Sequence, residues 1–124
     1  MGEKIKSFTD LKAWQEGHLL VLMIYKITDS FPQKEVFAIT LQMRRCVVSV
    51  TSNTAEGFSR RSQKDKMRFY YIALGSIAEL QDQLIIAKDL KYLDKERFNR
   101  LIEQTTRVQK LINGLVKSSK KLNT

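Results

Sequence analysis

Cysteine, proline and histidine each occur once in this chain of 124 residues, and glycine occurs five times. A single thiol, Cys46, excludes an internal disulfide and fits a reducing cytoplasm. One proline and five glycines leave few places at which a helix must break. With His18 as the sole histidine, there is no zinc ligand set and no nucleophile with a base at motif spacing. Glu79-x-x-Asp82 has the form of half a bundle carboxylate metal site, but the histidines such sites use are missing. No glycine-rich phosphate loop is present. The longest apolar run, LLVLMIY at 19–25, falls far short of a membrane span. The opening MGEKIKSFTDLKAW lacks the apolar core of an export signal. No alternating apolar pattern, internal repeat or low-complexity tract occurs. The expectation is a cytoplasmic protein that is not an enzyme, needs no cofactor or metal and does not enter the membrane.

What remains is ordinary in amount and skewed in charge. A content of 43% hydrophobic and 28% charged residues suits one globular domain. Twenty-two Lys and Arg against thirteen Asp and Glu give a net charge of +9. An excess of that size favours an anionic partner, nucleic acid being the commonest. The competing reading is charge kept for solubility.

Residues 1–8 read as a leader, and the apolar spacing then predicts four helices, at about 10–30, 33–58, 63–90 and 94–119, before a basic tail at 120–124. Thr9 or Asp10 can cap the first. Its expected inner seam is Leu11, Trp14, His18, Leu22 (or Val21) and Tyr25, with Trp14 and Tyr25 as core anchors and Leu19, Leu20 and Ile24 widening the face. Pro32 disfavours helical geometry at Phe31 and suits the first turn of the next helix. Ser62-Gln63-Lys64-Asp65 is a capping pattern for the third helix, and Asp94 can cap the fourth. The third seam is Phe69, Ala73, Ser76 or Ile77, Leu80, Leu84 and Ala87, and small Gly75, Ser76 and Ala78 predict close approach by a neighbouring backbone. The fourth is Phe98, Leu101, Thr105, Val108, Ile112, Leu115 and Ser119. Short connections imply antiparallel neighbours. The fold class is all-α, an antiparallel up-down-up-down four-helix bundle.

Two sets of polar residues are candidates for function. Laid on a helix at about 100° per residue, Val36, Ile39, Met43, Val47, Val50 and Thr54 share one face of the second helix. Phe37, Leu41, Val48 and Ala55 share a second. Arg45, Ser49, Asn53, Glu56 and Arg60 form a narrow row between them, beside Arg44. The row reads as a packing network, Glu56 standing four residues before Arg60, or as a ligand site. A helix with so little plain solvated face is expected to be covered by its own bundle and by another copy. The second set is basic. Arg60, Arg61, Lys64, Lys66 and Arg68 gather around a helix start, a setting suited to phosphate, with Tyr70 and Tyr71 able to stack on bases. Lys88, Lys91, Lys95, Arg97 and Arg100 cluster at the next turn, and Arg107, Lys110, Lys117, Lys120 and Lys121 follow along the last helix. Arg60, Arg61, Lys64, Lys66 and Arg68 are the expected principal nucleic-acid contacts, and Arg97, Arg100, Arg107 and Lys110 the secondary ones. A solvated face is the alternative reading.

Over about residues 8–116 the chain resembles the four-helix-bundle proteins encoded in intervening sequences of bacterial large-subunit ribosomal RNA genes. These are ribosomal-protein-like and related to the accessory variability determinant of diversity-generating retroelements. The resemblance rests on Leu11, Trp14-Gln15, Tyr25, Phe31-Pro32 with Glu35 and Phe37, and Gln42-Met43-Arg44-Arg45. It continues through Ser49, Ser52-Asn53, Ala55-Glu56-Gly57, Arg60, Gly75-Ser76, Glu79-Leu80, Leu84 and the 90–93 turn. Thr54 stands where isoleucine is usual, and Ala38-Ile39 where Gly-Leu is common; both read as packing variants. The resemblance implies a bundle that assembles into a homopentameric barrel. It also implies binding to RNA, DNA or a nucleoprotein, without known catalysis. The alternative function is a scaffold for a protein partner such as a mobile-element polymerase, with no direct nucleic-acid binding.

Overall fold

The computed structural model describes residues 4–123. Among them are four α-helices, α1 (Lys12–Thr28), α2 (Ile39–Ser59), α3 (Gln63–Asp89) and α4 (Lys95–Asn123), and no strands. Parts of the expected leader and tail, residues 1–3 and 124, lie outside the described residues. Each helix start has its own cause. Ser7 and Asp10 form a reciprocal capping box around a 3-10 turn, Phe8–Asp10. Asp10 Oδ2 accepts from Lys6 N and Ser7 N at 2.9 and 3.1 Å, so it closes the turn before α1 instead of capping α1. The extended Leu11 then separates the turn from the helix. Ser62 Oγ accepts from Asp65 N at 3.0 Å, and Asp94 Oδ1 from Arg97 N at 2.8 Å, capping α3 and α4. Lys91, at φ 66°, takes the left-handed position beyond the end of α3, and Tyr92 N returns to Ala87 O at 2.9 Å.

The second helix begins later than expected. After Pro32 comes a 3-10 turn, Gln33–Glu35, then a bend through 36–38 with Ala38 at φ −118° and ψ −113°. Val36 and Phe37 therefore precede α2, and Phe37 is 89% exposed. Proline opened only a short run of three-residue turns, Glu35 N to Pro32 O at 2.9 Å, Val36 N to Gln33 O at 3.2 Å and Ala38 N to Glu35 O at 3.0 Å, and the four-residue helical register starts with Gln42 N to Ala38 O at 3.0 Å. From there α2 buries Met43, Val47, Val50 and Thr54 but leaves Gln42, Arg45, Val48, Ser52 and Glu56 in solvent. It thus has a wetted face of its own, contrary to the nearly all-covered helix expected. The burial of Thr54 is neutral in polarity, since its hydroxyl donates to Val50 O at 2.8 Å.

Neighbouring helices run antiparallel. Arg44 meets Asp29 between α2 and α1, Gly57 meets Tyr70 between α2 and α3, Gln81 meets Thr105 between α3 and α4, and Glu16 meets Gln104 between α1 and α4. The core seam of α1 is Ala13, Gly17, Leu20, Ile24 and Thr28. This corrects the expected one: His18, Leu19, Leu22 and Tyr25 are exposed and Trp14 is half-buried. Both series have helical spacing, and LLVLMIY gives an apolar residue to either choice. Small Ala13 and Gly17 decide, because they let α1 come close; a Cβ at Gly17 would lie 3.1 Å from Thr51 Cγ2. Leu20, Ile24, Met43, Val47, Val50, Ile77, Leu80, Leu84, Val108 and Ile112 are fully buried in the centre. Each such side chain contributes about 1.5–3 kcal/mol of burial energy.

Two glycines in helices have opposite surroundings. A Cβ at Gly57 would fall 2.5 and 2.8 Å from Tyr70 ring carbons, and the ring is buried. At Gly75 it would meet nothing within 4 Å, so no backbone of this chain approaches there, contrary to expectation; Ala78 is exposed too. Gly57→Ala is expected to destabilise the fold by about 1–3 kcal/mol through overpacking. Gly75→Ala is expected to stabilise the isolated chain by about 0.5–1 kcal/mol through helix propensity. Urea denaturation of the two variants measures both signs.

Candidate functional site

The up-down topology puts the α2–α3 turn beside the last turns of α4. Arg60, Arg61, Lys64, Lys66 and Arg68 therefore share one end of the bundle with Lys117, Lys120 and Lys121, with Glu56 and Asp65 as acids. Their roles divide. Lys66 Nζ donates to Phe58 O at 2.6 Å and Gly57 O at 3.4 Å and lies 5.3 Å from the centre of the Phe58 ring. It ties down the last carbonyls of α2, and burial lowers its pKa. As a nucleic-acid contact Lys66 is already engaged, a capping role that spacing alone did not reveal. Arg60 pairs with Glu56 at 3.1 Å, and Arg60 and Arg68 flank the Phe69 ring at 4.6 and 5.0 Å. Arg61 and Lys64 are exposed and make no ion pair with a described residue. Tyr70 is buried against Gly57, and burial raises its pKa, so it offers no ring to a base. Tyr71 is 48% exposed, with Lys120 Nζ 5.9 Å from its centre.

The polar row on α2 is split between two neighbours, α1 and α3. Arg44 turns toward α1, donating to Thr28 Oγ1 and Asp29 Oδ1 at 2.9 Å each and lying over Tyr25 at 4.6 Å. Ser49 turns toward α3, 2.8 Å from Ser76 Oγ, and Asn53 Nδ2 donates back to Ser49 O and Oγ at 2.9 and 3.0 Å. Arg45 stands at the rim of a shallow polar notch of about 410 Å³ with Gln42, Cys46, Ser49, Ser76, Glu79 and Gln83. Arg44 and Ser49 are inter-helix ties, Asn53 and Glu56 are partnered within their own helix or at its end, and Arg45 is left over. Gln83 was not anticipated: it is buried, and its Oε1 has no hydrogen-bond partner.

The expected secondary contacts lie along α4. Arg97 pairs with Asp94 at 3.7 Å, Arg100 with Glu96 at 3.4 Å and Arg107 with Glu16 at 3.5 Å. All are exposed pairs on the arginine side, of the kind worth at most about 1 kcal/mol. Lys110 is exposed. Glu16 also accepts from Gln104, and this α1–α4 link has no local spacing that would announce it. Trp14 and His18 stack at 4.9 Å and 12° on the outside of α1. No group of three or more His, Cys, Asp or Glu among the described residues could hold a metal ion. No described helix is long and apolar enough to cross a membrane.

A family profile described as "23S rRNA-intervening sequence protein" matches residues 9–114, most of the chain. The chain belongs to that family. Among solved structures, it is similar to a protein of unknown function from the S23 ribosomal protein family of Bacteroides thetaiotaomicron. That likeness has a TM-score of 0.78 and 19% identity, covering 85% of this chain and 95% of the other. At that identity it speaks to the shared fold. No curated protein matches the chain.

Cys46 belongs to the ties as well. Its thiol donates to Ser76 O at 3.0 Å and to Glu79 Oε2 at 3.3 Å. Burial, with Glu79 adding to it, pushes the thiol from its ordinary 9.0 up to about 12. At pH 8 this lowers the thiolate fraction by about a thousandfold. Iodoacetamide labelling followed by mass spectrometry is expected to be slow in buffer and rapid in urea.

Proposed function

We infer that this family member is a non-catalytic nucleic-acid-binding protein that works as an oligomer. The observation that carries the reading is the convergence of cations from the α2–α3 turn and the end of α4 onto one end of the bundle. There Arg61 and Lys64 lack acid partners among the described residues and Tyr71 is open. Phosphates would be held by Arg60, Arg61, Lys64 and Arg68, with Arg97, Arg100, Arg107 and Lys110 as outlying contacts. Lys66 supports the site by holding the end of α2. Exposed Leu19, Leu22 and Tyr25 on α1, and Ile72, Ile85 and Ile86 on α3, support assembly with further copies. Repetition of the basic end around a ring would multiply weak contacts. The same apolar surface supports the second reading, a scaffold for a protein partner.

Fluorescence anisotropy with labelled RNA and DNA, at two salt concentrations, tests the binding. A steep fall with salt is expected, and each of Arg61→Glu and Lys64→Glu should lower the log–log slope by about 1. Absence of binding at low salt removes the reading and leaves the scaffold. Light scattering tests assembly: five copies of the 14.4 kDa chain are expected, and Leu22→Asp or Ile86→Asp should reduce the mass. A monomeric wild type would remove the ring.

A further inference from the structure

We propose that the nucleic acid taken by this protein is single-stranded and runs diagonally along α4, with one base lodged in the groove between α1 and α4. This rests on the nucleic-acid reading above and sharpens it. The cations of α4 recur with a ten-residue period, Arg97, Arg107 and Lys117 in one series and Arg100, Lys110 and Lys120 in the other. All six are exposed. Ten residues advance about 15 Å and turn through about 1,000°, which is some 80° short of a whole number of turns. The track therefore winds across the helix as it descends. Its contacts agree: Arg107 reaches Glu16 on α1, whereas Lys120 lies over Tyr71 on α3. Glu103 is the acid that interrupts it. Asp94 and Glu96 pair with Arg97 and Arg100 in exposed bridges of 3.7 and 3.4 Å that a phosphate can displace, and Arg107, 3.5 Å from the largely covered Glu16, is itself exposed.

Both ends of the track offer a surface for a base. At the upper end is a groove of about 520 Å³, with Met23, Ile27 and Leu101 as its apolar floor and Lys26, Arg97 and Arg100 on its rim. Its volume lies in the range of pockets that hold small organic ligands. Three apolar side chains together with three cations and Ser30 complement a nucleotide, whose ring is apolar on its faces and whose phosphate is anionic. At the lower end is the open ring of Tyr71, beside Lys120 and one turn from Arg68. A flexible strand can follow a winding line of cations and turn its bases onto both surfaces. Duplex DNA, stiff over about 50 nm and with its bases paired, can do neither.

The test is anisotropy with a labelled twelve-nucleotide oligo-dU and oligo-dT against a twelve-base-pair duplex, on the full chain at low salt. Single strands are expected to bind at least tenfold more tightly than the duplex. Met23→Glu, which puts a carboxylate on the groove floor, and Tyr71→Ala should each weaken the single strand by about tenfold and the duplex by several-fold less. Lys110→Glu should weaken both. Circular dichroism of each variant controls for folding, and Met23→Ala replaces Met23→Glu if that variant unfolds. Equal binding of strand and duplex, or base-surface variants without effect, overturns the track while the basic end stands. Competition by poly-glutamate as effective as by the oligonucleotide overturns it in favour of an acidic peptide. Failure of every nucleic acid to bind removes both readings together.

Discussion

The closeness of α2 to α3 is the constraint on which the rest of this bundle depends. Gly57 lets the α2 backbone lie against the Tyr70 ring, and Ala73 is small and fully buried farther along. Cys46 and Ser49 then reach Ser76 with polar contacts of 3.0 and 2.8 Å. With the two helices held at this distance, the aliphatic centre from Met43 to Leu84 is dry and closely packed, the condition under which side chains settle into one arrangement. The same closeness exposes the far side of each helix. It sets Arg61 and Lys64 at the free end of the hairpin and leaves Glu79, Gly75 and Ala78 on the surface.

The chemistry follows from how charges are spent. Arg44 and Lys66 are engaged inside the bundle, one fixing α1 to α2 and the other closing the end of α2. Arg60 and Arg68 lie over the Phe69 ring but stay exposed, so their guanidinium groups can still reach an anion. What stays available lies in exposed bridges or unpaired on the surface, where attraction to a polyanion costs little desolvation. A net charge of +9 held mostly in such positions is a surface suited to long-range attraction.

Fold class and helix number were legible because four apolar periodicities are separated by Pro32, by Gly57 to Ser62 and by Asp94. The register of α1 was not. LLVLMIY offers apolar residues on every side, and only the pairing of Gly17 with Thr51 selects which side faces in. The start of α2 was hidden for a similar reason: a proline permits a first helical turn without ensuring that the turn continues. In the candidate site, clustering of cations could be read from spacing. Their division into engaged and free could not, since Lys66 with Phe58 and Arg107 with Glu16 are partnerships made by the fold. The fate of Tyr70 and Tyr71, neighbours with opposite exposure, likewise depends on which ring meets Gly57.

The four helix–helix seams differ in how the chain closes them. Three join helices that follow one another, and each forms from a local hairpin. The seam between α1 and α4 brings together the first and last helices and is the sparsest of the four. It contains the link from Glu16 to Gln104 and Arg107, and the groove lined by Met23 and Leu101. Closing it carries the largest loop entropy for the fewest contacts, so it is the first place for the bundle to loosen. An occupant bridging this seam would act as a clasp on the whole chain, and its affinity would be repaid as resistance to unfolding.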